Sequence, residues 1–300
     1  DIYFYFYIFQ KMKKISIILF ALLFTSNTIA SDLDLPTKIK KKLTSDVSSY
    51  LNDTLGDMFP TAEVSLSSGN SNQVTGSILV VKPLNILTDS SDILFTQGSL
   101  FLTGDKRQTI NLGFGHRRLL NEDTLMIGYN VFYDHELDYD HQRASVGIEA
   151  ITSVGALRVN QYYALSSSQM GLNNQLESAL DGNDIELGVP LPYLPWANFY
   201  LRSFEWKGED GASDLQGDEM SLEAKFSDFN IEVGKRSNDG GVSDSEFINF
   251  TWTCCNNKTK VQRTEKAYNL TSVADQKYTK VKRQNRIVKQ SPMSFSVIGF

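Results

Sequence analysis

Cysteine, histidine, proline and long hydrophobic runs are all scarce in this 300-residue chain. The two cysteines, Cys254 and Cys255, are neighbours, and adjacent cysteines close only a strained ring, which excludes a disulfide framework and a cysteine-rich zinc site. Three histidines leave little material for metal or triad chemistry, and no cofactor is expected. With 41% hydrophobic residues and a formal charge of −6, the chain is neither disordered nor collagenous. Beyond the N-terminus no segment approaches the roughly 20 apolar residues that a membrane-spanning helix needs. What the chain does hold is aromatic side chains, 13 Tyr and 18 Phe, which suit strands whose pleated faces they fill.

Met12, Lys13 and Lys14 introduce the apolar run Ile15 to Phe24, and Thr28-Ile29-Ala30 places small residues where signal peptidase reads them. Residues 12–30 are therefore expected to be a signal peptide, with 1–11 as upstream translation and the mature protein starting at Ser31. An exported soluble protein or an outer-membrane barrel follows from that signal. Within the next segment, 31–61, the stretch Lys38 to Met58 sets Ile39, Leu43, Val47, Leu51 and Leu55 four residues apart, which predicts a short periplasmic helix.

Charge divides the remainder. Residues 62–255 carry 12 basic and 27 acidic side chains, whereas 256–300 carry ten basic ones against Glu265 and Asp275 alone. An acidic body is followed by a basic tail.

From Ala62 the pattern alternates with period two. Ile110, Leu112 and Phe114 share one face while Asn111, Gly113, Gly115 and Arg117 share the other. The runs Leu125 to Asp134 and Arg143 to Ala150 repeat this, with an apolar face backed by one of glycine and mixed charge. A soluble sandwich has no reason to collect glycine on its solvent face, whereas a membrane barrel crowds its polar side chains into a narrow lumen. Twelve such segments are counted, beginning at 62–68 and ending at 245–254, an even number as single-chain bacterial barrels require. Short turns at Leu120 to Asp123, Ser153 to Gly155, Pro192 to Trp196 and Asp228 fall on the periplasmic side. The long acidic stretches Ser167 to Gly182 and Gly208 to Gly217 fall on the other, as extracellular loops.

The fold predicted is an all-β membrane protein, a twelve-stranded antiparallel barrel over 62–255. On the polar parity lie Asn111, Arg117, Asn130, Asp134, Arg143, Glu149, Arg158, Glu232 and Arg236, expected to be structural groups inside the lumen, although an ion-conducting pore would use the same residues. Trp196, Trp206 and Trp252 near strand ends are assigned to aromatic girdles at the membrane interfaces. The last strand, with Phe250 and Trp252 facing lipid, is a candidate signal for the barrel-assembly machinery.

Thr61-Ala62-Glu63-Val64-Ser65-Leu66, Asn111-Leu112-Gly113-Phe114-Gly115-His116-Arg117, Met126 to Asp134, Arg143 to Ala150 and Lys282 to Val288 together resemble the translocator domain of the intimin and invasin family, the inverse autotransporters. The resemblance runs from about Phe59 to Lys289. It implies a periplasmic N-terminus, a twelve-stranded outer-membrane barrel, and a linker that re-enters the pore to carry a C-terminal adhesive passenger outward. The basic tail, 256–300, takes the linker's place, with Lys282, Arg283, Asn285 and Arg286 in the pore. Few residues follow them, so the passenger is expected to be missing from this chain. The implied partners are outer-membrane lipid, periplasmic chaperones and the assembly machinery, with a host or cell-surface receptor only through a passenger. No nucleic-acid partner is expected.

Two other functions compete. One is a passenger-free pore or structural barrel. The other is an outer-membrane hydrolase using Asp134-His135 and Asp140-His141, since acid and histidine pairs at an outer rim can perform general acid and base chemistry. Because Asp134 sits in the family-like strand, the non-enzymatic reading is preferred.

Overall fold

Alternation of apolar and polar side chains leaves each strand with one face for lipid and one for the lumen, and closing the sheet on itself removes its edges. The computed structural model describes residues 59–69, 74–84, 91–209, 212–239, 242–254, 260–291 and 294–296. Seven strands run in sequence: β1 (Thr61–Gly69), β2 (Val74–Pro83), β3 (Asp92–Leu102), β4 (Gln108–Leu120), β5 (Leu125–Glu136), β6 (His141–Thr152) and β7 (Gly155–Ala164). Two short ones, β8 (Gln169–Met170) and β9 (Leu176–Ala179), lie in the following loop. Then come β10 (Gly182–Leu191), β11 (Leu194–Trp206), β12 (Leu215–Phe226), β13 (Phe229–Asn238) and β14 (Ser245–Cys254), and in the tail β15 (Lys289–Ser291) and β16 (Ser294–Ser296).

Twelve of these form a closed antiparallel barrel, in which β7 pairs with β10 and β14 returns to β1 through Ala62↔Cys254 to Gly69↔Phe247. The twelve segments counted from the sequence are the twelve barrel strands, with ends that differ by up to three residues. The segment predicted to be helical, the signal and Cys255 lie outside the described residues.

Side-chain parity is as the pattern indicated. Ile148, 62% exposed, points outward, while its neighbours Gly147 and Glu149 point into the lumen. Two glycines are required by the packing on the inside: a Cβ at Gly113 would lie 2.2 Å from the Phe132 ring, and one at Gly115 would lie 2.3 Å from Phe95. Both aromatic rings therefore lie flat against the wall opposite a residue without a side chain.

Three features differ from expectation. Trp206 is not in a girdle: it shares parity with Arg202 and Phe204, is buried in the lumen, and packs on Tyr162 with ring centroids 5.1 Å apart. Trp252 alternates with the inward Thr251 and lies beside Phe229, while Trp196 packs beside Phe226. The stretch 165–181 is not a plain loop, because β8 and β9 pair there and β9 pairs with β15 of the tail, making a four-stranded sheet above the barrel. Finally, the turn after β10 is tighter than Pro192 to Trp196, since β11 already begins at Leu194. Tyr193 there has a φ of 64°, a left-handed conformation unfavourable for a bulky residue, and the tail braces it from outside.

Candidate functional site

The lumen is occupied by the chain's own tail. Residues 260–291 start at the periplasmic turns, pass through the barrel and emerge among the extracellular loops, and each level of the lumen holds them by different chemistry.

At the periplasmic rim the turns act as hooks. Thr264 N–H donates to the Tyr193 carbonyl (3.0 Å) and Tyr193 N–H to that of Ala267 (3.1 Å), with the Arg263 guanidinium 5.1 Å from the Tyr193 ring centroid. Ser153 Oγ donates to the Asn269 carbonyl and accepts from Thr271 N–H, and Val273 N–H donates to the Asp123 carbonyl (2.8 Å). These bonds satisfy backbone groups that a connecting segment would otherwise leave to water.

Just inside, the wall is apolar. Leu79, Val81, Ile93, Phe95, Leu119, Met126, Phe132 and Ile151 surround Val273 and Val281 of the tail, with Tyr278 at the margin. Sequence reasoning missed this plug. Its signal was present, because Ile78 to Val81 and Ile93 to Phe95 are apolar on both parities, as befits strands with lipid on one side and a filled interior on the other.

Beside and above the plug, charge takes over. Lys280 Nζ bonds Glu63 (2.7 Å), and Val281 N–H donates to Gln97 Oε1 (2.8 Å). Arg117, paired with Glu149 at 2.6 Å, donates to the carbonyls of Lys277 and Thr279 at 2.9 and 2.7 Å. Asp134 receives two guanidinium groups: Arg143 from the neighbouring strand (2.8 Å) and Arg283 from the tail (2.6 Å), all three buried. Arg143 also reaches the carbonyls of Gln284 (2.6 Å) and Arg286 (3.0 Å), and Asn111 reaches that of Asn285 (2.8 Å).

The remaining residues singled out from the sequence all line the interior. Arg158 pairs with Glu186 at 2.6 Å and Arg236 with Glu219 at 2.5 Å, while Glu232 accepts from Ser221 (2.6 Å) and Asn249 (3.2 Å). Asn130 is buried opposite Gly147. In the tail, Lys282 Nζ lies 3.1 Å from the Tyr200 ring centroid, and its carbonyl accepts from Asn160 (3.3 Å). Arg286 is buried, and its Nη1 finds no hydrogen-bond partner among the described residues. Sequence reasoning passed over Asp184, Arg202 and Tyr162, although the same parity rule places them inside, where Asp184 accepts from all of Asn160, Tyr162 and Arg202.

At the extracellular rim Lys289 bonds Glu136, and Arg107 spans Glu136 (2.8 Å) and both oxygens of Glu177 (2.8 and 2.6 Å). Burial raises the pKa of the Glu177 carboxyl. Hydrogen bonds from His141 and Arg107, with the charges of Lys289 and Arg107, outweigh that and hold it below the usual carboxylate range. Ligand atoms of Glu136, His141 and Glu177 lie within 4.8 Å of one another, a grouping able to hold a metal ion. Here Lys289 and Arg107 already neutralise both carboxylates, so the tail's ammonium fills the cation's place. The four residues of the hydrolase alternative do not converge. Asp134 is consumed by arginines in the lumen and His141 is buried beside Glu177 (3.3 Å), while His135 and Asp140 pair at 2.7 Å on the exposed outer lip.

Comparison with known proteins agrees with this geometry. The model of the family described as inverse autotransporter, beta-domain, matches residues 21–285. The inverse autotransporter adhesin YeeJ of Escherichia coli K12 is 29% identical over 210 residues, covering 66% of this chain and 9% of that protein. Intimin of E. coli O127:H6 is 34% identical over 158 residues, covering 51% of this chain and 16% of intimin. The chain spans less than half the length of the curated relatives it matches, from 9% to 47%. A solved structure from a study of in-meso crystallization of membrane proteins superposes with a TM-score of 0.67 at 25% identity, over 78% of this chain and 99% of that one.

Proposed function

Because the chain belongs to the inverse autotransporter β-domain family and is a bacterial outer-membrane β-barrel, we propose that it anchors its own C-terminal segment in the pore and translocates an adhesive passenger carried on that segment to the cell surface. The observation that carries this reading is the path of residues 273–289. They run from the Asp123 carbonyl at the periplasmic turns, past Asp134 in the extracellular half of the lumen, to Glu136 and β9 at the outer rim. Residues 12–30 serve export, 31–61 form a periplasmic segment, 62–255 form the barrel, and 256–300 form the linker.

The barrel works without catalysis in this account. Many of its lumen polar side chains bond one another or the linker, and Asp134 is taken up by two arginines. Its partners are outer-membrane lipid around the apolar face, periplasmic chaperones, and an assembly machinery that reads β14; a receptor enters only through the passenger. A reporter epitope placed directly after Ser296 in the full chain tests the direction of transport. Antibody should bind it on intact cells. Binding only after the outer membrane is permeabilised would contradict the proposal.

A further inference from the structure

Most contacts between wall and tail in the lumen are blind to sequence. Arg117, Arg143, Asn111 and Asn160 donate to carbonyl oxygens of the tail, which any passing segment would present equally well. Arg283 is read differently. Its Nη1 and Nη2 donate to the two separate oxygens of Asp134, at 2.9 and 2.6 Å, a fork-to-fork pair, and Nη2 also reaches Ser145 Oγ at 2.9 Å. The flat of the guanidinium lies 4.4 Å from the Phe132 ring centroid, with the Tyr162 ring 5.6 Å away on the same group.

This receptor belongs to the wall. Phe132 is pressed against Gly113, and Asp134 is held by Arg143 Nε at 2.9 Å, a bond made between two wall residues. An emptied lumen would therefore keep an oriented carboxylate under an aromatic face, already compensated by Arg143 and so stable on its own. Tyr162 Oη adds a check on position, since it accepts the N–H of Gln284, the residue next to Arg283, at 2.7 Å.

We infer that Phe132, Asp134, Ser145 and Tyr162 form a guanidinium-specific receptor in the lumen that arrests the moving chain when Arg283 arrives and thereby sets the register of the threaded linker. Lysine would not replace the arginine. An ammonium is a compact point charge that cannot span two carboxylate oxygens and lie flat under a ring at once. The inference rests on the linker reading above and assigns its stopping point to one side chain.

Single-channel recording of the full chain in planar bilayers tests it, with faster gel migration of the unheated protein confirming that each variant folds. The intact chain should be closed most of the time and a chain lacking the tail should be open. Arg283→Lys and Arg283→Ala should both raise the open fraction by about tenfold or more, as expected for the loss of a charge-assisted pair. Millimolar methylguanidinium should reclose Arg283→Ala, and methylammonium should not. Asp134→Asn, close in shape, supplies the reciprocal arm: it should open the pore and abolish rescue by methylguanidinium. An Arg283→Lys chain as closed as the natural one, or equal rescue by both cations, would overturn the receptor while leaving the linker reading intact. An intact chain as open as the tail-less one would instead remove the linker reading itself.

Discussion

In the periplasmic half of the lumen, Val273 and Val281 lie among eight apolar wall residues. In the extracellular half, Arg283 and Lys289 lie among carboxylates. The two halves do different mechanical work. Hydrophobic contact is non-directional and nearly indifferent to a small slide along the pore, so the lower half seals without fixing position. A forked ion pair tolerates only a few tenths of an ångström of displacement before its hydrogen bonds weaken, so the upper half fixes position and, by holding the tail in register, keeps the lower seal closed. A barrel that must first pass a chain and then hold it benefits from keeping these tasks at separate depths.

Breaking the upper half should have the larger effect on stability. Asp134→Ala leaves the buried Arg143 and Arg283 facing each other without a counter-ion, and the loss should be about 3–5 kcal/mol, read from urea unfolding of the barrel in lipid vesicles. A cost below about 1 kcal/mol would mean that the pair is as solvated as one on a surface. Val281→Ala probes the lower half. It removes two methyl groups from the apolar plug and should cost about 1–2 kcal/mol, with no change in the protease-protection boundary of the tail. A shifted boundary would show that the plug also sets register.

Acidification should act last and least, at the outer rim. The Glu177 carboxyl titrates below its ordinary 4.5 in the folded chain, so its contribution is complete at neutral pH and is lost as pH falls below that value toward the folded one. The unfolding midpoint should therefore decline over this acid range, and Glu177→Gln should flatten part of the decline. An identical pH profile in the variant would assign the acid sensitivity elsewhere.

The barrel was legible in the sequence because each of β4, β5 and β6 keeps a strict alternation over ten or more residues, and a one-residue error would have exchanged lipid and lumen faces throughout. The same rule, carried four residues along β11 from Arg202, would have put Trp206 inside. Reading it by its nearness to a strand end placed it in the wrong environment. The apolar plug was harder to read, since an alternation is lost when both faces of a strand are buried. β8 and β9 have too few residues to show any period, and β9 is ordered in part by pairing with a segment more than a hundred residues away. The lumen charges were legible as a set but not as pairs. That Asp134 takes Arg143 and Arg283, and not a histidine, depends on a path through the pore that no local pattern encodes.

Conductance tests the central claim most directly. The account holds that the tail fills the pore, so deleting residues 256–290 from the chain should turn a closed barrel into an open one whose single-channel current in a planar bilayer is clearly larger. The deleted form should still migrate faster unheated than boiled on a gel. An intact chain that already conducts like an open porin, with a current unchanged by the deletion, would contradict it.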